Sequence, residues 1–203
     1  MDATTDLLLV RCRLPAAEGL PKAAQRFAGD ALLPLDVQRV SWSPESHWAY
    51  LYFVPRGGAL RLEDAAVARL AALWKSLCDC TEADVSRLEL LQDLAGRSHG
   101  EQPTRHYVVE TDPEAAWEAE ITRWYIEEHL PGLASVPGCV DARRFRNHDA
   151  GPRSHACYSL LTEDTLGCPP WLVVRGSDWS SRVRPHFTNT RRPMLRILGE
   201  ADS

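Results

Sequence analysis

The order of elements implied by the sequence occurs twice in 203 residues. Residues 7–14 read as a strand and residues 15–29 as an Ala-rich helix. Two β-rich runs, 35–43 and 47–54, meet at Ser43-Pro44-Glu45-Ser46, a turn by composition. Residues 60–77 place Leu62, Ala65, Ala66, Leu70, Leu73, Trp74 and Leu77 at three-to-four spacing, one buried helical stripe. Residues 85–91 complete a β-α-β-β-α-β order. After a polar, breaker-rich linker at 96–103 the order returns. Residues 105–110 form a strand. Asp112 and Pro113 suit an N-cap and first helical position, with Glu114 favoured by the positive helix end. Trp117, Ile121, Trp124 and Tyr125 make one apolar stripe. Strands at 139–146 and 154–161 flank a turn at 147–152, residues 162–175 hold a short broken helix, and 194–198 close the unit.

Each βαββαβ unit is a ferredoxin-like half. Its helices cover one face of its sheet and leave the other bare. Burying two bare faces against each other returns roughly 25 cal/mol per Å² of apolar surface. The expected fold is therefore α+β, with residues 1–97 and 104–203 as two ferredoxin-like repeats packed sheet to sheet within one chain. The halves are unequal. The second carries Glu128-His129-Leu130-Pro131 and a long loop where the first runs through Gly29-Asp30-Ala31-Leu32-Leu33-Pro34 into its strand, without a His. One site per chain is expected, in the second half, and the first half serves as scaffold.

Composition narrows the function classes. A net charge of −5 argues against a nucleic-acid surface, which requires a basic face. No apolar run approaches the ~18–20 residues of a membrane span, and no basic segment precedes the apolar run that starts at Leu7, so the N-terminus does not read as a signal peptide. Six scattered Cys suit a reduced, cytoplasmic protein rather than a disulfide framework. Cys78-Asp79-Cys80 lacks the spacing and the second ligand pair of a metal or redox motif.

Residues 124–145 read W-Y-I-E-E-H-L-P-G-L-A-S-V-P-G-C-V-D-A-R-R-F: an amphipathic helix ending at His129-Leu130-Pro131, a loop closed by Val136-Pro137-Gly138, then a strand. This stretch resembles the first crossover of the dimeric α+β barrel superfamily, in particular its EthD-like branch. The resemblance implies an intrachain dimeric α+β barrel here, with a ligand between helices and sheet. It also implies cofactor-independent oxygenation, dehydration or cyclisation of a small aromatic or polyketide-like molecule.

The candidate residues follow from the inward face of that helix and the strands beneath it. His129, one turn beyond Tyr125 at the end of the helix, is a candidate general acid/base, or else a helix-end His bonding free carbonyls. Tyr125 is a candidate hydrogen-bond donor to substrate and Trp124 a pocket wall; both also read as core. Asp141, Arg143 and Phe145 share one strand face and Ala142 and Arg144 the other; His155 and Cys157 alternate with Tyr158 in the next strand. Arg143, Arg144, His155 and Tyr158 are therefore either a polar ligand lining or structural partners. His186, Asn189 and Arg192, in a basic segment before the closing strand, either reach the pocket mouth or lie in a solvated loop.

No phosphate-cradling glycine loop, H-E-x-x-H or G-x-S-x-G occurs, and no His pair has metal-ligand spacing on a helix. No metal and no cofactor is expected, and the partners expected are a small molecule and, through exposed strand edges, a second copy. Three functions remain: a cofactor-independent enzyme with His129 as acid/base, a non-catalytic binding or assembly protein with a vestigial pocket, and a haem-binding protein, as occurs among α+β barrel relatives.

Overall fold

The computed structural model describes residues 3–199. The chain divides into two compact units. One runs through Leu90 and takes in Asn147–Gly151 and the stretch from Leu195 onward; the other comprises Leu91–Arg146 and Pro152–Met194.

In the first unit β1 (Ala3–Thr5), β2 (Leu7–Arg13), α1 (Leu20–Asp30), β3 (Leu35–Trp42), β4 (Trp48–Pro55), β5 (Leu60–Leu62), α2 (Asp64–Leu77) and the first part of β6 (Glu82–Ala95) follow in order. β1 and β5 form a short antiparallel ribbon. The main sheet runs β3-β4-β2-β6, all antiparallel. Both helices turn apolar stripes onto it: Leu20, Ala24 and Phe27 from α1, Leu70 and Trp74 from α2. Phe27 lies 4.8 Å from Phe53 and 5.5 Å from Trp74, so aromatic rings fill the space between helices and sheet. The segment 147–151 is held to this unit by Arg87, which is only 3% exposed. Its guanidinium donates to Asp149, Asp64 and the Leu62 carbonyl.

The second unit contains β7 (Arg105–Pro113), α3 (Glu118–Trp124), a π-helical turn (Tyr125–His129), α4 (Leu130–Ala134), β8 (Cys139–Asn147), β9 (Ser154–Leu160), α5 (Pro169–Arg175), α6 (Asp178–Val183) and β10 (Phe187–Arg191). Its sheet runs β10-β7-β9-β8, again antiparallel. In both units the strands thus lie in the order fourth, first, third, second, the ferredoxin-like arrangement.

Several elements differ from the sequence expectation. The fourth strand of the second unit is β10, in the segment read as a polar tail. Residues 194–198, read as its closing strand, contain β11 (Met194–Ile197), which pairs with β3 of the first unit. Asp112 does not cap a helix: β7 continues to Pro113, and the Asp112 carboxylate accepts from the Arg153 amide and Asn189. The expected linker at 96–103 is tied down. Gly96, Arg97 and Ser98 donate backbone bonds to Val140, Ala134 and Cys139, and a Cβ on Gly96 would lie 2.2 Å from the Cys139 carbonyl oxygen. Among the described residues no helix is long and apolar enough to cross a membrane.

Candidate functional site

The helix of the second unit does not end at His129. It passes through a π-helical turn and continues as α4, so His129 lies inside it. Pro131 supplies the reason. It has no N–H to donate to the preceding turn, and its ring would clash with the carbonyl four residues back. Widening the turn by one residue relieves the conflict: the Leu130 amide bonds to Tyr125 O, five residues earlier. Pro131 then sits in the first turn of α4, where proline is tolerated.

The wide turn gathers rings. His129 stacks on Trp124 with centroids 4.0 Å apart and meets Tyr125 edge-on at 5.6 Å. The Trp124 indole N–H donates to Glu128, which also accepts from Ser177, the N-cap of α6. That bridge fixes the indole on which the imidazole rests. On its other side Tyr125 is covered by Arg144, whose guanidinium carbon is 4.6 Å from the ring centroid and which also donates to Thr122.

Below these rings lies a cavity lined by Tyr107, Trp124, Tyr125, His129, Tyr158 and Trp171, with Arg175, Arg184 and Arg192 among its wall residues. Its inner space is about 30 Å³, room for one or two waters, and counting the open depression outside it the space free of atoms is about 380 Å³. Two polar atoms are buried here without a hydrogen-bond partner: His129 Nδ1 and the Tyr158 hydroxyl. Burial, followed by the charges of Arg184 and Arg175, pushes the His129 imidazole down to about 3. It is therefore neutral at physiological pH. Burial pushes the Tyr125 phenol up to about 12, against a partial opposing pull from Arg144, and raises Tyr158 well above the ordinary phenol. Both tyrosines are donors, not phenolates.

No protein-family model and no curated protein sequence matches the chain. Solved structures do. A mutant chlorite dismutase from Candidatus Nitrospira defluvii, in complex with cyanide, superposes with a TM-score of 0.62 at 7% identity, over 98% of this chain and 92% of that one. An anthrone oxidase-like protein gives 0.57 at 11% identity, over 95% and 91%. A ferredoxin-fold protein from Listeria monocytogenes related to antibiotic biosynthesis monooxygenases gives 0.55 at 8%, over 96% of both chains. The chain shares the ferredoxin-like α+β fold of these structures. At such identities the likeness carries architecture alone.

Within the second unit, four of the residues singled out from sequence line one cavity together with a fifth from the tail: Trp124, Tyr125, His129, Tyr158 and Arg192. The others lie elsewhere. Arg144 backs Tyr125 rather than facing the cavity. Arg143 pairs with Asp93 at 3.0 Å. His155 shares the Tyr158 strand but points to the opposite face, with Nε2 3.0 Å from Pro152 O. His186 stacks on Trp117 at 3.6 Å and bonds Glu114; Asn189 is exposed and bonds Asp112. Sequence reasoning missed Tyr107, Trp171, Arg175, Arg184 and Phe187. Alternation along β7 could have found Tyr107; nothing local marks the others.

Haem, raised for His129 by the resemblance, does not fit these residues. The imidazole is stacked flat on an indole inside the space between helices and sheet, and even the about 380 Å³ of space free of atoms, open depression included, is less than a haem occupies.

Proposed function

We propose that the second unit binds a small aromatic or polyketide-like molecule and that His129 moves a proton on it, in an oxygenation, dehydration or cyclisation that needs no cofactor. The observation that carries this reading is the neutral imidazole with a buried, unbonded nitrogen in an aromatic wall. A buried polar atom without a partner costs about 1–3 kcal/mol, and a ligand that bonds it recovers that cost. One nitrogen of the neutral ring offers a lone pair to an acidic C–H or O–H. Arg184 and Arg175 weaken that base, but the same charges stabilise the enolate it would form, and the Tyr158 hydroxyl is free to donate to the enolate oxygen. A ring must displace the exposed side chains of Arg175 and Arg192 to enter. The resemblance of residues 124–145 to the EthD-like branch supports the same class.

Anthrone and 2-naphthol serve as test substrates, followed by oxygen uptake and product analysis. With anthrone, one O₂ is consumed per anthraquinone and water formed. His129→Ala is expected to fold with an unchanged circular dichroism spectrum and to lose turnover; unchanged turnover refutes the role of His129.

The inner volume favours a second reading. About 30 Å³ lies far below the ~300 Å³ of an ordinary small-molecule pocket, as in a non-catalytic protein whose vestigial gap is filled by Trp124, Tyr125 and Tyr158. Wild-type protein that neither binds nor converts these probes supports that reading.

A further inference from the structure

The wall of the cavity is aromatic, but its arginines are not accounted for by the protein. Arg175 ends α5, Arg184 follows α6 and Arg192 follows β10. All three enter the lining. Among the described residues none of them has a carboxylate partner, whereas in the same unit Arg123 and Arg182 pair with Glu120, Arg143 with Asp93, Arg153 with Asp112 and Arg191 with Glu110. The chain carries a net charge of −5, so this local excess of positive charge does not come from a basic chain. Helix ends explain cations at Arg175 and Arg184 in part; Arg192 follows a strand and has no such reason. The three charges act together on one spot, since all of them pull on the Tyr107 phenol, and Arg175 and Arg192 each repel Arg184. Three like charges gathered at the opening of an apolar cavity repel one another and attract an anion.

We propose that the molecule bound in the second unit is a small aromatic anion, its oxyanion seated among Arg175, Arg184 and Arg192 and its ring directed inward against the aromatic lining that includes Tyr107 and Trp171. This rests on the reading of the cavity as a small-molecule site and adds the charge of the ligand. An anion there neutralises the charges that, with burial, hold His129 neutral, so binding also strengthens the imidazole as a base.

The test is calorimetric titration of the full chain with 2-naphthoate and with its neutral analogue 2-naphthamide. Wild type is expected to bind 2-naphthoate at least about tenfold tighter, as charge-assisted bonds predict, and added salt should weaken 2-naphthoate alone. The triple variant Arg175→Gln, Arg184→Gln, Arg192→Gln should keep its melting temperature and lose the preference. A control with Arg153→Gln and Arg182→Gln, which removes positive charge outside the opening, should retain it. Equal affinity for the two probes, or an undiminished preference in the triple variant, overturns the anion assignment while leaving the cavity as a binding site. Binding of neither probe overturns both.

Discussion

The imidazole of His129 lies on the indole of Trp124, centroids 4.0 Å apart and 21° from parallel, with Nδ1 buried and unbonded. Burial there favours the neutral ring and holds it down to about 3, whereas an unfolded chain returns the ring to about 6.5. Between those values the unfolded state binds the proton that the folded state refuses. The stabilisation from keeping His129 neutral is therefore complete above about pH 6.5 and is lost as the pH falls toward 3, at about 1.4 kcal/mol per pH unit. Urea unfolding at pH 6.5, 6.0, 5.5 and 5.0 should show a slope in wild type that exceeds that of His129→Gln by about this amount. Identical slopes would mean that the ring titrates normally.

Tyr158 holds a buried hydroxyl with nothing to bond. Tyr158→Phe removes an unpaired polar group without opening a cavity, so its stability should equal wild type or exceed it by about 1 kcal/mol. Affinity for 2-naphthol should fall in the same variant, because the donor is lost. Thermal unfolding and titration check the two halves; a clear loss of stability contradicts the unbonded hydroxyl.

The buried Arg87 pairs with the half-buried Asp149 at 2.8 Å and fastens residues 147–151 to the first unit. Asp149→Ala leaves the buried guanidinium with only the exposed Asp64 to balance its charge and should cost about 3 kcal/mol. Asp64, which meets the same guanidinium from solvent, should matter much less when changed to Ala. Chemical denaturation of the two variants ranks them.

Two glycine substitutions should have opposite signs. Gly96→Ala drives a Cβ into the Cys139 carbonyl and should destabilise by about 2 kcal/mol or more. Gly29→Ala lies in α1 with nothing near its added carbon, and should stabilise by about 0.5–1 kcal/mol. A melting temperature of Gly96→Ala that stays level or rises contradicts the close approach at Gly96.

The repeated βαββαβ order was legible because stripes such as Trp117, Ile121 and Trp124, and the turn at 43–46, report local physics that the fold does not override. β10 was hidden because Thr188-Asn189-Thr190-Arg191 has the polar composition of a loop; it is the outer strand of its unit and has few side chains to bury. The π-helical turn was hidden because Pro131 reads as a stop signal, and only the backbone shows that one wider turn carries the helix past it. Half of the cavity could be read from the helix that holds Trp124, Tyr125 and His129. Trp171, Arg175 and Arg184 come from broken, proline-containing segments without a periodicity, so only tertiary structure brings them to the same opening.

Proton transfer by His129 requires a ligand to reach its imidazole. Imidazole proton–nitrogen NMR spectra, recorded while neutral 2-naphthol is added, test this directly. The account predicts saturable, one-to-one shifts at His129 and little change at the other six histidines; a His129 resonance that stays put while the probe binds elsewhere, or does not bind, would contradict it.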